Sequence, residues 1–286
     1  MLKVDLHLHS IASDGKLSPE KIVSTAVRLC FNIIAITDHD SVFGIPPALA
    51  AAQAFSNLTV IPGVEINTDV THGEVHILGY FLDYTNPELC STLGRLRESR
   101  QLRGVEMVAK LRSLGLDLDW DRVQELAQGA PIGRPHIAQA LLERGYVSSI
   151  KDAFVKYIGR DGPAYVERTK VTPVEAVELI VKAGGLPVLA HPAEINKLNE
   201  LVGELKGAGL VGLEVFYDSY PPNVVTRLLA MAKQYGLITT GGSDFHGLEG
   251  ESMETLPEIT LPRESLESLF TLAGKAHLFS NLFYDL

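Results

Sequence analysis

The chain opens on Val4-Asp5-Leu6-His7-Leu8-His9-Ser10, where apolar and polar positions alternate. A period of two marks a strand, with Leu6 and Leu8 on one face and Asp5, His7 and His9 on the other. Six further apolar runs predict strands, so that seven are expected, over 2–9, 33–38, 58–66, 75–81, 186–191, 211–216 and 237–244. Ile33-Ile34-Ala35-Ile36 and Pro187-Val188-Leu189-Ala190 show no alternation, as expected for parallel strands covered by helices on both faces. Between most runs the period lengthens to that of a helix, over 19–29, 45–55, 173–183, 223–235 and 263–273. Ser18-Pro19-Glu20 and Thr172-Pro173 each put a capping hydroxyl before a proline at the first helical position. Repeated strand–helix units predict an α/β fold, either a barrel or a doubly wound parallel sheet. The rhythm breaks between the fourth and fifth strands, where 87–170 read as helices alone, over 93–114, 120–128 and 135–144. The expected organisation is a barrel domain from 1–86 and 171–286 with an inserted helical subdomain at 87–170.

Composition narrows this little. At 286 residues, with 46% hydrophobic and 21% charged positions, the chain reads as globular. Neither a bilayer-spanning run nor a signal-peptide pattern follows Met1. Cys30 and Cys90 are the only cysteines, each in an apolar, helical stretch, which fits buried thiols in the cytoplasm and excludes a disulfide framework. The net charge of −10 argues against binding to long nucleic acid or to anionic lipid. That charge is uneven: the insert holds 14 basic and 11 acidic residues, a balance of +3, and the remainder comes to −13.

The polar residues gather at strand ends. The first strand ends in His7 and His9 with Asp14 just after; the second ends in Asp38-His39-Asp40. The third runs into Glu65, the fourth contains His76, the fifth ends in His191, and the seventh ends in Asp244 and His246. In a parallel barrel these ends open on one face, where active sites are built. Six of the nine histidines lie there. So many imidazoles and carboxylates converging without a cation would leave costly, half-desolvated lone pairs. His with Asp and Glu is the usual ligand set for Zn, Mn or Fe. Nine candidate ligands, His7, His9, Asp14, His39, Glu65, His76, His191, Asp244 and His246, are too many for one ion and suit two or three.

These motifs, Asp5-Leu6-His7-Leu8-His9-Ser10, Thr37-Asp38-His39-Asp40, Pro62-Gly63-Val64-Glu65-Ile66, Val75-His76-Ile77-Leu78-Gly79-Tyr80, Leu189-Ala190-His191-Pro192 and Ser243-Asp244-Phe245-His246-Gly247, resemble in order those of the PHP (polymerase and histidinol phosphatase) family. The resemblance covers essentially the whole chain. It implies a distorted, TIM-like barrel of seven β/α units. The wider pattern, including the inserted segment Gly133-Arg134-Pro135-His136-Ile137-Ala138-Gln139-Ala140-Leu141-Leu142-Glu143-Arg144-Gly145, resembles the stand-alone branch acting on nucleoside 3′,5′-bisphosphates and short RNA ends. Carried over, the family pattern implies one ion on His7, His9, Glu65 and Asp244, a second on Glu65, His76 and His191, and a third on Asp14, His39 and His246. Asp14 stands where the histidinol phosphatase branch usually has histidine, which hardens that site toward Mn or Fe and away from Zn.

The chemistry expected is hydrolysis of a phosphate monoester, foremost the 3′-phosphate of a nucleoside 3′,5′-bisphosphate. The nucleophile would be a hydroxide held between the pair that Glu65 bridges. Glu65, Asp244 and His191 are the expected catalytic residues at the ions. Arg134 and His136, beside a helix N-terminus, are expected to grip a second phosphate; Arg160, Arg168 and Lys170 are weaker candidates for it. Asp38 and Asp40 are expected to orient imidazoles, with Asp5 undecided, and Ser10 and Ser243 to donate hydrogen bonds beside ligands. Trp120 is expected to pack within the insert, and His72 and His277 receive no role. No membrane, long nucleic acid or obligate protein partner is expected. The alternatives are a cyclic phosphodiesterase or 5′-to-3′ exoribonuclease on short RNA, an amidohydrolase cleaving C–N bonds, and a nonhydrolytic accessory module.

Overall fold

The computed structural model describes residues 2–70, 73–127, 132–167, 171–247, 256–257 and 259–281. In chain order, the elements begin with β1 (Val4–Leu8), α1 (Pro19–Arg28), β2 (Ile33–Ile36), α2 (Ile45–Ala52), β3 (Thr59–Val70) and β4 (Gly73–Tyr80). Next come α3 (Pro87–Ser113), α4 (Trp120–Ala127), α5 (Arg134–Glu143) and α6 (Ile150–Ala153), the last running into a π-helical turn at Phe154–Ile158. The chain continues through α7 (Pro173–Lys182), β5 (Leu186–Leu189), a 3-10 turn (Pro192–Glu194), α8 (Leu198–Ala208) and β6 (Gly212–Tyr217). It ends with α9 (Pro222–Tyr235), β7 (Ile238–Gly242), α10 (Arg263–Leu272) and α11 (Ala276–Asn281). These elements form two compact units, one from 1–91 with 170–286 and one from 92–169.

In the first unit seven strands follow in the order β1 to β7, each bonded to the next. The seam between the two ends is drawn together beyond β7. His9 N–H donates to the Phe245 carbonyl (3.0 Å), and the Ser243 N–H (3.0 Å) and hydroxyl (2.5 Å) donate to Asp5. The barrel is therefore nearly closed. A Cβ at Gly242 would stand 2.2 Å from His7 Cβ, so only glycine lets the strands approach there.

The strand direction departs from the sequence expectation at β4, which runs antiparallel to both β3 and β5. The eight residues between the expected third and fourth strands explain this, since a parallel crossover needs about a dozen or more. Instead β3 continues through the polar Asn67-Thr68 stretch and turns straight into β4, pairing Asn67 with His76. Simple alternation also fails in β1: Leu6 packs with Val4, Ile33 and Ile61, whereas Leu8 packs with Ile34 and the α1 residues Ile22 and Val23. The β1–β2 register slips between Asp5 and Leu8, and such a bulge re-aims the side chains around it. The burial of all five β1 residues fits a two-sided strand.

The sequence also missed α8, because Gly203 and Gly207 weaken its helical signal, although Leu198, Val202 and Leu205 form its buried stripe. Cys30 is exposed rather than buried. It stands past the end of α1 with φ 60, in a turn and not in the helix. Helix α5 starts one residue early, at Arg134. Residue 128, the expected end of α4, lies outside the described residues.

The second unit has its own core of Met107, Leu111, Leu118, Val123, Ile137 and Leu141. Trp120 packs against it over Gly104, where a Cβ would stand 3.0 Å from the indole. No helix among the described residues is long and apolar enough to cross a membrane.

Candidate metal centre

Strands β1, β3 and β4, with the loops after β1, β2, β5 and β7, bring all nine candidate ligands to one mouth of the barrel unit. Two of them sit on strained backbone, His191 with φ 25 and Asp244 with φ 57. Non-glycine residues in that region gather where surrounding contacts fix them for function. Glu65 is fully buried at the hub. Its Oε1 lies 2.9 Å from His76 Nδ1 and 3.1 Å from His191 Nε2. Its Oε2 lies 3.2 Å from His7 Nε2, 3.3 Å from His9 Nε2 and 2.9 Å from His39 Nδ1. Asp244 Oδ1 completes the first cluster, 3.2 Å from His7 Nε2 and 2.9 Å from His9 Nε2.

Donor atoms within 4.8 Å of one another form three overlapping groups: His7, His9, Glu65 and Asp244; His9, Asp14, His39 and His246; His39, Glu65 and His76. The first is the set the family pattern implies. The other two differ from it, because His9 and His39 each stand between two groups and His191, at the Glu65 carboxylate, falls in none of the three.

Several of these contacts are wrong for hydrogen bonds and right for a cation. Glu214 Oε1 accepts from His7 Nδ1–H at 2.9 Å, which leaves the neutral ring's Nε2 as a bare lone pair facing two carboxylate oxygens. The Asp244 carbonyl accepts from His246 Nδ1–H at 2.7 Å, and the Nε2 faces Asp14 Oδ1 at 3.3 Å. Among the described residues, His7 Nε2, both His9 nitrogens, Asp14 Oδ1, Glu65 Oε2, His76 Nε2 and Asp244 Oδ1 are buried without a hydrogen-bond partner. Lone pairs facing carboxylates in a buried site repel unless a positive charge lies between them. Two ligands about 2.1 Å from an ion at the tetrahedral angle stand about 3.4 Å apart, close to the spacings found here. The residues therefore fit divalent ions.

The charges are coupled accordingly. Burial would push His9 down, but Asp244 and Glu65 reverse this and hold it at about 10. Burial would raise Glu65, yet His39, His7 and His76 hold it well below the usual carboxylate range. Asp5 is pushed up to about 7 by burial, against the hydrogen bonds it accepts from Ser243 and His7.

Asp38 does not orient an imidazole. It accepts from Ser10 N–H (2.7 Å), the Ser10 hydroxyl (2.8 Å) and the Ser13 hydroxyl (2.7 Å), and so fixes the loop that leads from His9 to Asp14. Asp40 is linked to His39 through Asn67, whose backbone it binds at 2.9 Å and whose Nδ2 lies 2.8 Å from His39 Nδ1. Asp5 ties β1 to the end of β7.

Sequence reasoning missed Glu214. It is fully buried, and its Oε2 also accepts from His191 N–H at 2.8 Å, so one carboxylate positions two of the candidate ligands. A lone charge inside the apolar run of β6 was the available signal, since a buried carboxylate needs partners. Tyr217, which donates to Asp244 Oδ2 at 3.0 Å, was missed as well.

In the second unit, Arg134 is half-buried at the first turn of α5 and lies over the Phe154 ring at 5.4 Å. His136 is buried, and its Nδ1 accepts from Gly133 N–H at 3.0 Å, closing the helix cap. Arg160 is half-buried in the same unit. Arg168, Lys170 and His72 lie outside the described residues, and His277 is exposed on α11.

Comparison with known proteins agrees with this geometry. The PHP domain family matches residues 5–162. The 5′-3′ exoribonuclease Rnm of Escherichia coli K12 is 38% identical over 247 residues, spanning 85% of this chain and 84% of its own. A 3′,5′-nucleoside bisphosphate phosphatase of Chromobacterium violaceum is 32% identical over 272 residues, spanning 92% and 95%. The solved structure of a protein from Bifidobacterium adolescentis, assigned as a metal-dependent phosphoesterase, superposes with a TM-score of 0.83 at 30% identity, covering 95% of this chain and 96% of its own. The chain belongs to the PHP family, and it is a metal-dependent phosphoesterase, a hydrolase built on a TIM-like barrel.

Proposed function

We propose that the centre removes the 3′-phosphate of a nucleoside 3′,5′-bisphosphate, leaving a nucleoside 5′-monophosphate. The observation that supports it most is the set of buried, unpartnered donor atoms converging on Glu65. The similarity to the bisphosphate phosphatase extends over nearly the full length of both chains. Two or three divalent ions are proposed, Mn first and Fe or Zn as alternatives, since Asp14 gives the third group a hard oxygen donor. His7, His9, Glu65 and Asp244 would hold one ion; Glu65, His76 and His191 a second; Asp14, His39 and His246 a third. Bound there, such ions polarise a phosphoryl group and bring the pKa of coordinated water from about 16 toward about 7.

The chain's own residues do the positioning. Glu214 fixes the His7 tautomer and holds the His191 backbone. Tyr217 holds Asp244 in place, and Asp38 holds the loop that bears Asp14. The unpaired thiols Cys30 and Cys90 support a cytoplasmic setting.

A second reading is favoured by the 38% identity to the exoribonuclease: stepwise cleavage of a short 5′-phosphorylated RNA. Both reactions can break the same P–O3′ bond with the same leaving oxygen. They differ in whether the phosphorus also bears the next nucleoside. Product analysis on a nucleoside 3′,5′-bisphosphate, a 5′-phosphorylated RNA and a 2′,3′-cyclic nucleotide tests the proposal. Nucleoside 5′-monophosphate and inorganic phosphate are expected from the first. Turnover of the RNA alone would transfer the assignment to the exonuclease, and turnover of none would end both readings.

A further inference from the structure

A cleft of about 1100 Å³ opens from His76 and His191 and runs outward past the 3-10 turn and the start of α9. Its wall continues the rings of the centre. His76 and His191 stand 5.0 Å apart between ring centroids, His191 and Tyr217 5.7 Å, and Tyr217 and Tyr220 5.0 Å. Both tyrosines are pinned at their hydroxyl ends: Tyr217 donates to Asp244 Oδ2 at 3.0 Å, and Tyr220 accepts from Ala193 N–H at 2.9 Å. Both are partly exposed within the cleft.

The charged residues on this wall do not favour an anion. Lys197 and Arg227 are matched by Glu74 and Glu194. Arg227 Nη2 already donates to the Ala193 carbonyl at 2.8 Å, and Lys197 lies 3.5 Å from Glu200. What the wall offers is a pair of fixed aromatic rings in a cleft of balanced charge, beginning where a phosphoryl group would be bound. That suits a flat, uncharged aromatic group attached to a phosphorylated sugar. Rings held before binding lose little side-chain freedom when a partner stacks on them.

We propose that Tyr217 and Tyr220 form a stacking platform for the base of the nucleotide whose phosphate occupies the centre. This rests on the nucleotide reading above for the class of ligand. It makes the cleft the site that tells a nucleotide from a bare sugar phosphate. Base–aromatic stacking tolerates any base, so the platform selects for a base without selecting which one.

The test measures binding and needs no turnover. Calorimetry on the Mn-loaded protein gives Kd for adenosine 5′-monophosphate and for ribose 5-phosphate, and the ratio isolates the contribution of the base. The wild type is expected to prefer the nucleotide, and Tyr220→Ala to reduce the ratio roughly fivefold to hundredfold. Tyr220→Phe, which keeps the ring and loses only the contact with Ala193, is expected to retain the ratio. Tyr220→Leu serves in place of the alanine variant if that one does not fold, as judged by its melting curve. A ratio as large in the ringless variants as in the wild type overturns the platform. So does a phenylalanine variant as weak as the ringless ones, or a wild type that binds the two ligands alike or binds neither. A ratio that behaves as expected in a protein that releases no phosphate from the bisphosphate would keep the platform and reject the proposed hydrolysis.

Discussion

Replacing Glu214 with glutamine changes one oxygen to an NH2 and almost nothing else in shape, yet no orientation of the amide satisfies both neighbours. In the wild type both carboxylate oxygens accept, one from His7 Nδ1–H at 2.9 Å and the other from His191 N–H at 2.8 Å. An amide offers one acceptor and one donor. If its NH2 faces the His191 amide, two donors meet in a site with no solvent exposure, and a buried donor left without an acceptor costs about 1–3 kcal/mol. If its NH2 faces His7, the ring must take the other tautomer, and the Nε2 then carries a hydrogen where it should offer a lone pair to an ion. Either way the loss falls on the metal-loaded state, roughly fivefold to hundredfold in affinity at about 1.4 kcal/mol per decade. Competition with a chromophoric chelator measures this directly, with circular dichroism to show that Glu214→Gln is folded. A folded variant with wild-type metal affinity would refute the role given to Glu214, since the tautomer argument leaves no third arrangement.

Glu65→Gln is expected to abolish turnover while Asp14→Ala retains part of it, because Glu65 faces five imidazoles and Asp14 serves one group; equal losses in kcat at full metal content would show the ranking to be wrong. Metal loading is expected to release protons, because carboxylates outweigh burial and raise His9 to about 10, with His7 and His191 also above their ordinary value. Raised values mean that these rings hold a proton more tightly than a free imidazole when no ion is bound and must give it up to bind one, so affinity rises with pH. Calorimetry in two buffers of different ionisation enthalpy checks this, and identical heats would contradict it. Arg134→Ala separates a phosphate contact from a stack on Phe154: a tenfold to hundredfold loss in kcat/KM is expected for a nucleoside bisphosphate, from about 1.5–3 kcal/mol of charge-assisted bonding. Equal losses with a generic aryl phosphate would place Arg134 at the reacting group instead.

The barrel and most of its site were legible because both rest on strong local signals. Apolar runs such as Ile33-Ile34-Ala35-Ile36 permit little besides a covered strand, and a histidine or carboxylate at the end of one run after another has few uses besides chemistry. What escaped depends on partners remote in sequence. The direction of β4 follows from the length of its connection to β3, not from its composition. Glu214 reads as an ordinary interruption of a strand until His7 and His191 are seen to need its two oxygens. Asp38 flanks a histidine in sequence and yet serves serines 28 and 25 positions earlier, in the connection after β1. Tyr217 ends, and Tyr220 follows, a strand that bears no histidine, so nothing local marked them.

The seam of the barrel sets the order in which the centre can be assembled. Glu65 and His76 meet across a hairpin only 11 positions apart, whereas the contact between Asp5 and Ser243 closes a span of 238. Joining ends that far apart costs about 3 kcal/mol more loop entropy than closing the hairpin. One half of the centre can therefore form while the chain is still open, and His7 meets Asp244 only when the first and last strands dock. His7 and Asp244 would then share an ion across the seam, and its binding energy would favour the closed ring. Withdrawing such an ion would take away one tie across this seam, so the residues that would hold it for chemistry would also help keep the ends of the chain together.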